Sequence, residues 1–250
     1  MCGSFWPGIN NGSCINERCL VLLKKSNLSE IMDDFSIKDE RIDLALSELK
    51  KINKYLGGEG TSREGFKEIF RKLKTKNIKI LDVGSGASSV FLLMQNININ
   101  FDIYSIDKNI RACRYLKKNS TGIKIICADI FYLPFKDQYF DIVHSSLLFH
   151  HFNDIQIGTV LNLLKKISKC GIIINDLRRN YLAFIGIKLL TFFFSKSKMV
   201  KNDAPISVCR GFIKKEILTI LDSSKTTSFK IKRMWAFRWL IIIYLNDYGL

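Results

Sequence analysis

One short stretch constrains the chain more than any other: Ile80-Leu81-Asp82-Val83-Gly84-Ser85-Gly86. An apolar run, Ile78–Asp82, ends in a G-x-G turn, and Ala87–Gln95 then carries a helical pattern. Glycine permits a tight turn and close approach of backbone to a ligand. A helix that starts just after such a turn aims its free N–H groups at the same crevice. In open α/β sheets, ligands sit in that crevice, outside the carboxyl ends of the strands.

The pattern that follows repeats this unit. Phe101–Ile106 reads as a second strand, Ile110–Lys117 as a helix, and Ile123–Cys127 and Phe140–Ser145 as the third and fourth strands. Asp154–Lys169 is a predicted helix with Ile155, Val160, Leu161, Leu164 and Ile167 facing inward, and Gly171–Asn175 is the fifth strand. Alternation of strand and helix implies parallel strands joined by right-handed crossovers. Lys214–Leu221 is a further helix, and Phe229–Met234 with Phe237–Tyr244 reads as an antiparallel hairpin at the edge. The fold class is therefore α/β: a doubly wound, mostly parallel, seven-stranded Rossmann-like sheet. Before it, residues 39–56 and 62–75 form two helices, the first stopped by Gly57-Gly58. Residues 1–75 are thus an irregular leader and a helical N-terminal extension. Residues 76–250 are the main domain, interrupted after the fifth strand by a helical insertion at 177–205.

A length of 250 residues suits this one domain with additions. The net charge of +16 permits nucleic acid, an anionic membrane surface or an acidic substrate as partner. The basic runs are all short, as at Lys24-Lys25 and Arg178-Arg179, so lysines scattered over solvated faces account for the charge equally well. Cysteines at 2, 14, 19, 113, 127, 170 and 209 form no C-x-x-C pair and are odd in number. That fits free thiols in a reducing cytoplasm better than disulfides or a zinc site. No basic region precedes an apolar run at the start of the chain, so no signal peptide is read there. The longest apolar run, Tyr181–Phe194, is too short for a membrane span, which needs about 18–20 residues. Peripheral contact with a membrane remains open.

Acidic residues close three successive strands: Asp82, Asp107 and Asp129. A carboxylate at Asp107 can accept from both ribose hydroxyls. One at Asp129, with the backbone N–H of Ile130, can serve an adenine. Asp82 stands two residues before the first glycine, where it can hold a positively charged amino acid moiety, directly or through water. A pyrophosphate would not favour that charge. The dinucleotide fingerprint also wants a small third residue near position 89, where Ser89 stands. The cofactor set is Asp82, Gly84, Ser85, Gly86, Asp107, Lys108, Asp129 and Ile130, with His144 on the fourth strand as packing or cofactor contact.

Ile80–Ser89, Asp107, Ala128-Asp129, Pro134-Phe135 and Tyr139-Phe140-Asp141-Ile142-Val143 together resemble the class I S-adenosylmethionine-dependent methyltransferases over roughly residues 76–176. The resemblance implies S-adenosyl-L-methionine as cofactor, with Asp82 and Gly84–Gly86 on the methionine part, Asp107 on the ribose, and Asp129 with Ile130 on the adenine. Leu49–Gly58, Phe149-His150-His151-Phe152, Asn175–Arg179 and Asp203–Phe212 look like bacterial small-molecule methyltransferases of polyketide, quinone and phenolic-lipid biosynthesis. Cys209 departs from the arginine often found there.

The resemblance implies in-line SN2 transfer to the oxygen or carbon of a small apolar or aromatic metabolite. A phenol or acid acceptor can need a general base. The only histidines are His144, His150 and His151, on or just after the fourth strand. His150 and His151 are the candidate bases, against helix capping or packing as the other reading. No carboxylate or cysteine stands at ligand spacing beside them in sequence, so no metal is expected. Tyr181–Phe194 reads either as a core helix or as a lid over the acceptor. Arg178 and Arg210, with Arg179, can hold an anionic substrate group or make surface ion pairs. The rival functions are an RNA or tRNA methyltransferase, a nicotinamide-dependent oxidoreductase, which Ser89 and Asp82 disfavour, and a non-catalytic cofactor-binding subunit. The segment His144-Ser145-Ser146-Leu147 lacks the Pro-Pro pair that base amino methylation usually uses.

Overall fold

The computed structural model describes residues 24–245 apart from 38, 74, 87–89, 91–92 and 94–98. The leader at 1–20, Ser89 and most of the predicted helix Ala87–Gln95 lie outside the described residues. Val90 and Leu93, which are described, are helical and buried.

Two helices precede the sheet. α1 (Glu40–Tyr55) is capped by Asp39, whose side chain accepts from the Arg41 N–H, and it buries Ile42, Ala45 and Leu46. α2 (Gly58–Phe70) begins four residues before the sequence pattern predicts. Gly57 takes a left-handed φ of 74°, so the chain turns and restarts a helix at once. Phe66 and Ile69 face the sheet.

The seven strands are β1 (Asn77–Val83), β2 (Asn100–Asp107), β3 (Ile123–Cys127), β4 (Phe140–Ser146), β5 (Ser168–Leu177), β6 (Phe229–Met234) and β7 (Arg238–Tyr244). Their order is β3-β2-β1-β4-β5-β7-β6. β1 to β5 are parallel, and β7 pairs antiparallel with both β5 and β6. Chain order reverses between β1 and β4, so the loops leaving these strands part and open a crevice.

Buried strands alternate between two cores, as a period of two requires. Ile80, Ile142, Ile173, Leu240 and Ile242 pack toward α2. Leu81, Val143, Ile172, Ile174, Ile241 and Ile243 pack the other way, with α4 (Asp154–Ile167) and α7 (Lys214–Ser223). Between β2 and β3 runs α3 (Ile110–Asn119).

Two sequence expectations for α4 need correction. Ile155 faces solvent at 84% exposure, and Ile157 is the buried residue. Val160, Leu161 and Leu164 lie three, four and seven residues beyond Ile157, on its stripe, which Ile155 misses. The helix also stops at Ile167, because Ser168 is already in β5.

The insertion comprises α5 (Tyr181–Phe194) and α6 (Lys198–Arg210). It runs past the predicted end because Pro205 lies inside α6 without stopping it. Both helices pack with α1 in a third core that includes Leu46, Ile187, Met199, Val200 and Val208. Among the described residues, no helix is long and apolar enough to cross a membrane.

Candidate active site

The glycine turn sits on the tip of β2. Gly84 N–H and Ser85 N–H donate to the Ile106 carbonyl at 2.9 and 3.2 Å, and Gly86 N–H donates to Asp107 Oδ2 at 2.9 Å. Gly84 and Gly86 have φ of 65° and 51°. A Cβ on Gly84 would lie 2.8 Å from Leu148 Cδ1, so the turn suits glycine sterically as well.

The second oxygen of Asp107 accepts from Asn109 N–H at 2.8 Å, and burial pushes the carboxyl up from the usual range. Asp129 Oδ1 accepts from Phe131 N–H at 3.0 Å, and its Oδ2 pairs with Lys108 Nζ at 2.9 Å. A cavity of about 560 Å³ joins Gly84, Ser85, Gly86, Asp107, Lys108, Asp129 and Ile130. A larger depression of about 1210 Å³ lies around Arg71, Asn77, Asn100 and Asp141. It sits at the opposite ends of the strands, away from the glycine turn and the strand-tip carboxylates.

Asp82 does not line the cavity; it is buried one layer below. Asp82 and His144 are register partners on β1 and β4, and their side chains meet at 2.7 Å. His144 Nε2 reaches Ser62 Oγ at 2.8 Å, Asn175 Nδ2 donates to Ser62 Oγ at 2.9 Å, and Arg238 donates to Asn175 Oδ1 at 3.2 Å. This buried chain ties α2 to β1, β4, β5 and β7. His144 is thus held away from the cavity, a correction to its reading as a cofactor contact. The reason is the register itself, which places it beneath α2 beside Asp82. Asp82 Oδ2, also buried, has no hydrogen-bond partner among the described residues.

The opposite wall is assembled from distant segments. A 3₁₀ turn at Ile31–Asp33 is held by Asp203 of α6, whose two oxygens accept from Ile31 N–H at 2.8 Å and Met32 N–H at 3.0 Å. It presents Glu30 and Asp33, which the sequence analysis missed. Neither belongs to a motif, and contacts across more than a hundred positions, from Asp203, His151 and Arg210, bring them to the site.

His151 lines the cavity, and its Nδ1 lies 2.7 Å from Asp33 Oδ1. Burial pushes Asp33 up, but hydrogen bonds from His151 and Arg210 outweigh it and hold the carboxyl well below the usual range. Arg210 also lines the cavity, donating to Asp33 Oδ2 at 2.6 Å, His150 O at 3.2 Å and His151 O at 2.7 Å.

His150 is buried and does not line the cavity. Its Nδ1 lies 2.6 Å from Asp176 Oδ1, and its Nε2 lies 3.6 Å from Glu30 Oε1. Burial opposes its charge, but the two carboxylates win and raise its pKa to about 9. It is therefore an imidazolium at neutral pH with no lone pair to accept a proton, which corrects its reading as a base.

Arg178 is also off the cavity. It sits 5.1 Å over the Phe237 ring, and its backbone N–H donates to the Phe237 carbonyl. Arg179 is buried, donating to the Gly211 carbonyl and Glu216. Among the described residues, none of Tyr181–Phe194 lines the cavity, so α5 is not its lid.

The tertiary structure supplies the carboxylate that sequence spacing lacked. Ligand atoms of Glu30, His150 and His151 lie within 4.8 Å of one another. Arg210 stands 3.6 Å from the same Glu30 oxygen, and its charge opposes a divalent cation there.

A parallel sheet reversing at β1/β4, with a glycine turn and two strand-tip carboxylates at its crevice, defines the Rossmann-like methyltransferase class of fold. Residues 81–169 match the family model described as methyltransferase domain. The match spans the core of the sheet and supports a class I S-adenosylmethionine-dependent methyltransferase, with S-adenosylmethionine as cofactor. Solved structures share the fold across most of its length. The plantazolicin methyltransferase BpumL, crystallised with a triazolic desmethylPZN analog and SAH, is 16% identical with a TM-score of 0.67; the match covers 92% of this chain and 99% of that one. A SAM dependent methyltransferase from Aquifex aeolicus is 15% identical with a TM-score of 0.56, covering 80% of this chain and 98% of that one. No curated protein matches the chain by sequence.

Proposed function

We propose that the enzyme methylates a small, apolar or aromatic acceptor at an ionisable hydroxyl or an enolic carbon, with His151 as general base. The observation that carries this reading is the His151–Asp33 pair on the same cavity as the glycine turn. An ionised Asp33 can only accept, so a neutral His151 carries its hydrogen on Nδ1 and keeps a lone pair on Nε2. That nitrogen is free to take the acceptor's proton as the methyl group is transferred.

The residues present fit the cofactor. The turn leaves open space at Gly86, where an added Cβ would meet only Leu46 Cδ2 at 4.0 Å, and Asp82 Oδ2 below it lacks a partner among the described residues. In this reading Gly84, Ser85 and Gly86 hold the methionine part, with Asp82 reaching its ammonium through the turn or a water. Asp107 accepts from the ribose, and Asp129 with Ile130 recognises the adenine, while Lys108 orients Asp129. The bound sulfonium supplies an already activated methyl group. The protein has to align the acceptor about 3 Å from it and exclude water. Met32, Phe35, Leu46, Leu49, Leu148 and Phe152 give the cavity an apolar side suited to such an acceptor. Arg210 anchors the Asp33 wall rather than an anionic substrate group.

The test is methyl transfer over a panel of phenols, quinols and fatty-acid-like acceptors. His151→Asn is expected to lower kcat by about 10²–10⁴-fold with unchanged affinity for S-adenosylmethionine. Turnover on tRNA alone, with steeply salt-dependent binding, would favour the nucleic acid reading. Cofactor binding without any turnover would favour a non-catalytic subunit.

A further inference from the structure

α5 is the one described helix whose apolar residues face outward as a group. Of its fourteen residues only Ile187 and Thr191 are buried. Leu182, Leu189, Phe192, Phe193 and Phe194 are exposed by between 54% and 80%. At 100° per residue, Leu182, Leu189 and Phe193 form a narrow stripe diametrically opposite Ile187 and Thr191. Single exposed leucines are ordinary, but a contiguous apolar face marks an interaction site.

The charges that the insertion itself carries have one sign, and the carboxylate packed against the end of α5, Glu48 of α1, is taken up by Ser195 Oγ and the N–H groups of Lys196 and Ser197. No Asp or Glu occurs between Asp176 and Asp203. Lys188, Lys196, Lys198 and Lys201 are all exposed. Lys201 Nζ lies 5.8 Å from the centroid of the exposed Phe192 ring, and Lys188 Nζ lies 6.0 Å from that of Phe184. A helix of this length, about 21 Å, is too short to span a bilayer. An apolar face rimmed by lysines suits a helix lying in the headgroup region. A second copy of this chain would bring the same lysines against each other within a +16 molecule. An anionic bilayer offers both an apolar interior and the opposite charge.

We propose that α5 docks the enzyme on an anionic phospholipid membrane, with Leu182, Leu189 and Phe193, flanked by Phe192, entering the acyl boundary and Lys188, Lys196, Lys198 and Lys201 meeting the headgroups. None of these residues lines the cavity, so this surface stands apart from the chemistry proposed above.

The full chain is sedimented with phosphatidylcholine vesicles and with vesicles that also contain phosphatidylglycerol. The expected result is binding to the anionic vesicles that weakens as salt is raised. Phe192→Ser with Phe193→Ser should weaken it about tenfold or more. Each of Lys198→Gln and Lys201→Gln should weaken it by about fivefold. All variants should keep the wild-type affinity for S-adenosylmethionine, which shows that they are folded. Failure of the wild type to sediment with anionic vesicles overturns the proposal, as does undiminished binding by the phenylalanine variant. A dimer that these substitutions convert to monomer, without vesicle binding, assigns the face to a second copy instead.

Discussion

The two walls of the cavity are built differently. On one, Gly84, Gly86, Asp107 and Asp129 leave three adjacent parallel strands, and backbone N–H groups of the turns hold both carboxylates. On the other, Asp33 and Glu30 come from before the first helix, His151 from after β4 and Arg210 from the end of α6, backed from off the cavity by His150 and by Asp176 of β5. The first wall rests on backbone that the sheet fixes anyway, so its side chains are available for ligand. The second exists only while its charges hold one another, so binding geometry and stability are the same interactions. Substitutions should therefore separate into losses of affinity on one wall and losses of stability on the other.

Arg210→Met should have the largest effect. It strips Asp33 and Glu30 of their guanidinium and frees the carbonyls of His150 and His151. Breaking such a buried pair costs about 3–5 kcal/mol. At roughly 2–4 °C per kcal/mol for a chain of this size, the melting temperature should fall by about 6–20 °C. An unchanged melting temperature would break the contrast between the walls.

Asp107→Ala should leave melting nearly unchanged and weaken S-adenosylmethionine binding by roughly 10–150-fold in calorimetry, the loss of hydrogen bonds to a charged acceptor. A large fall in stability with intact affinity would reverse the two roles.

Alkali should act on the second wall. His150 has a folded pKa of about 9 against an ordinary 6.5. Its raised pKa stabilises the fold fully below about pH 6.5, and this contribution fades as pH rises through about 9. The melting temperature should fall between neutral pH and that region, and His150→Asn should flatten the decline. Parallel profiles for the two proteins would remove His150 as the cause.

The smallest effect belongs to Lys108→Ala. The Lys108–Asp129 pair lies at an exposed rim, and such pairs contribute about 0–1 kcal/mol. Affinity for the cofactor should change by less than about fivefold. A larger change would show that Lys108 touches the ligand.

Much of the first wall was legible beforehand for a physical reason. A strand, a glycine turn and a carboxylate at a strand tip are local features, and the doubly wound sheet always brings successive tips to one edge. Asp107, Asp129, Ile130 and the glycines line the cavity accordingly. Asp82 and His144 show the limit: both are near the site in sequence, but their paired register places them beneath it. Ile155 shows another, because an apolar residue at a helix start is assigned to a face only once the helix phase is known. The three histidines carry identical chemistry in the sequence. Their neighbours make one a buried link, one a standing imidazolium and one a candidate base.

Local chemistry along the chain set the order of elements, the parallel sheet and the glycine-turn crevice, because hydrophobic period and glycine conformation act over a few residues. Packing in three dimensions set which histidine faces the cavity, that Asp33 pairs with it, and that the apolar side of α5 turns outward. Those outcomes depend on burial and on charges meeting across more than a hundred positions, and no local pattern encodes such contacts.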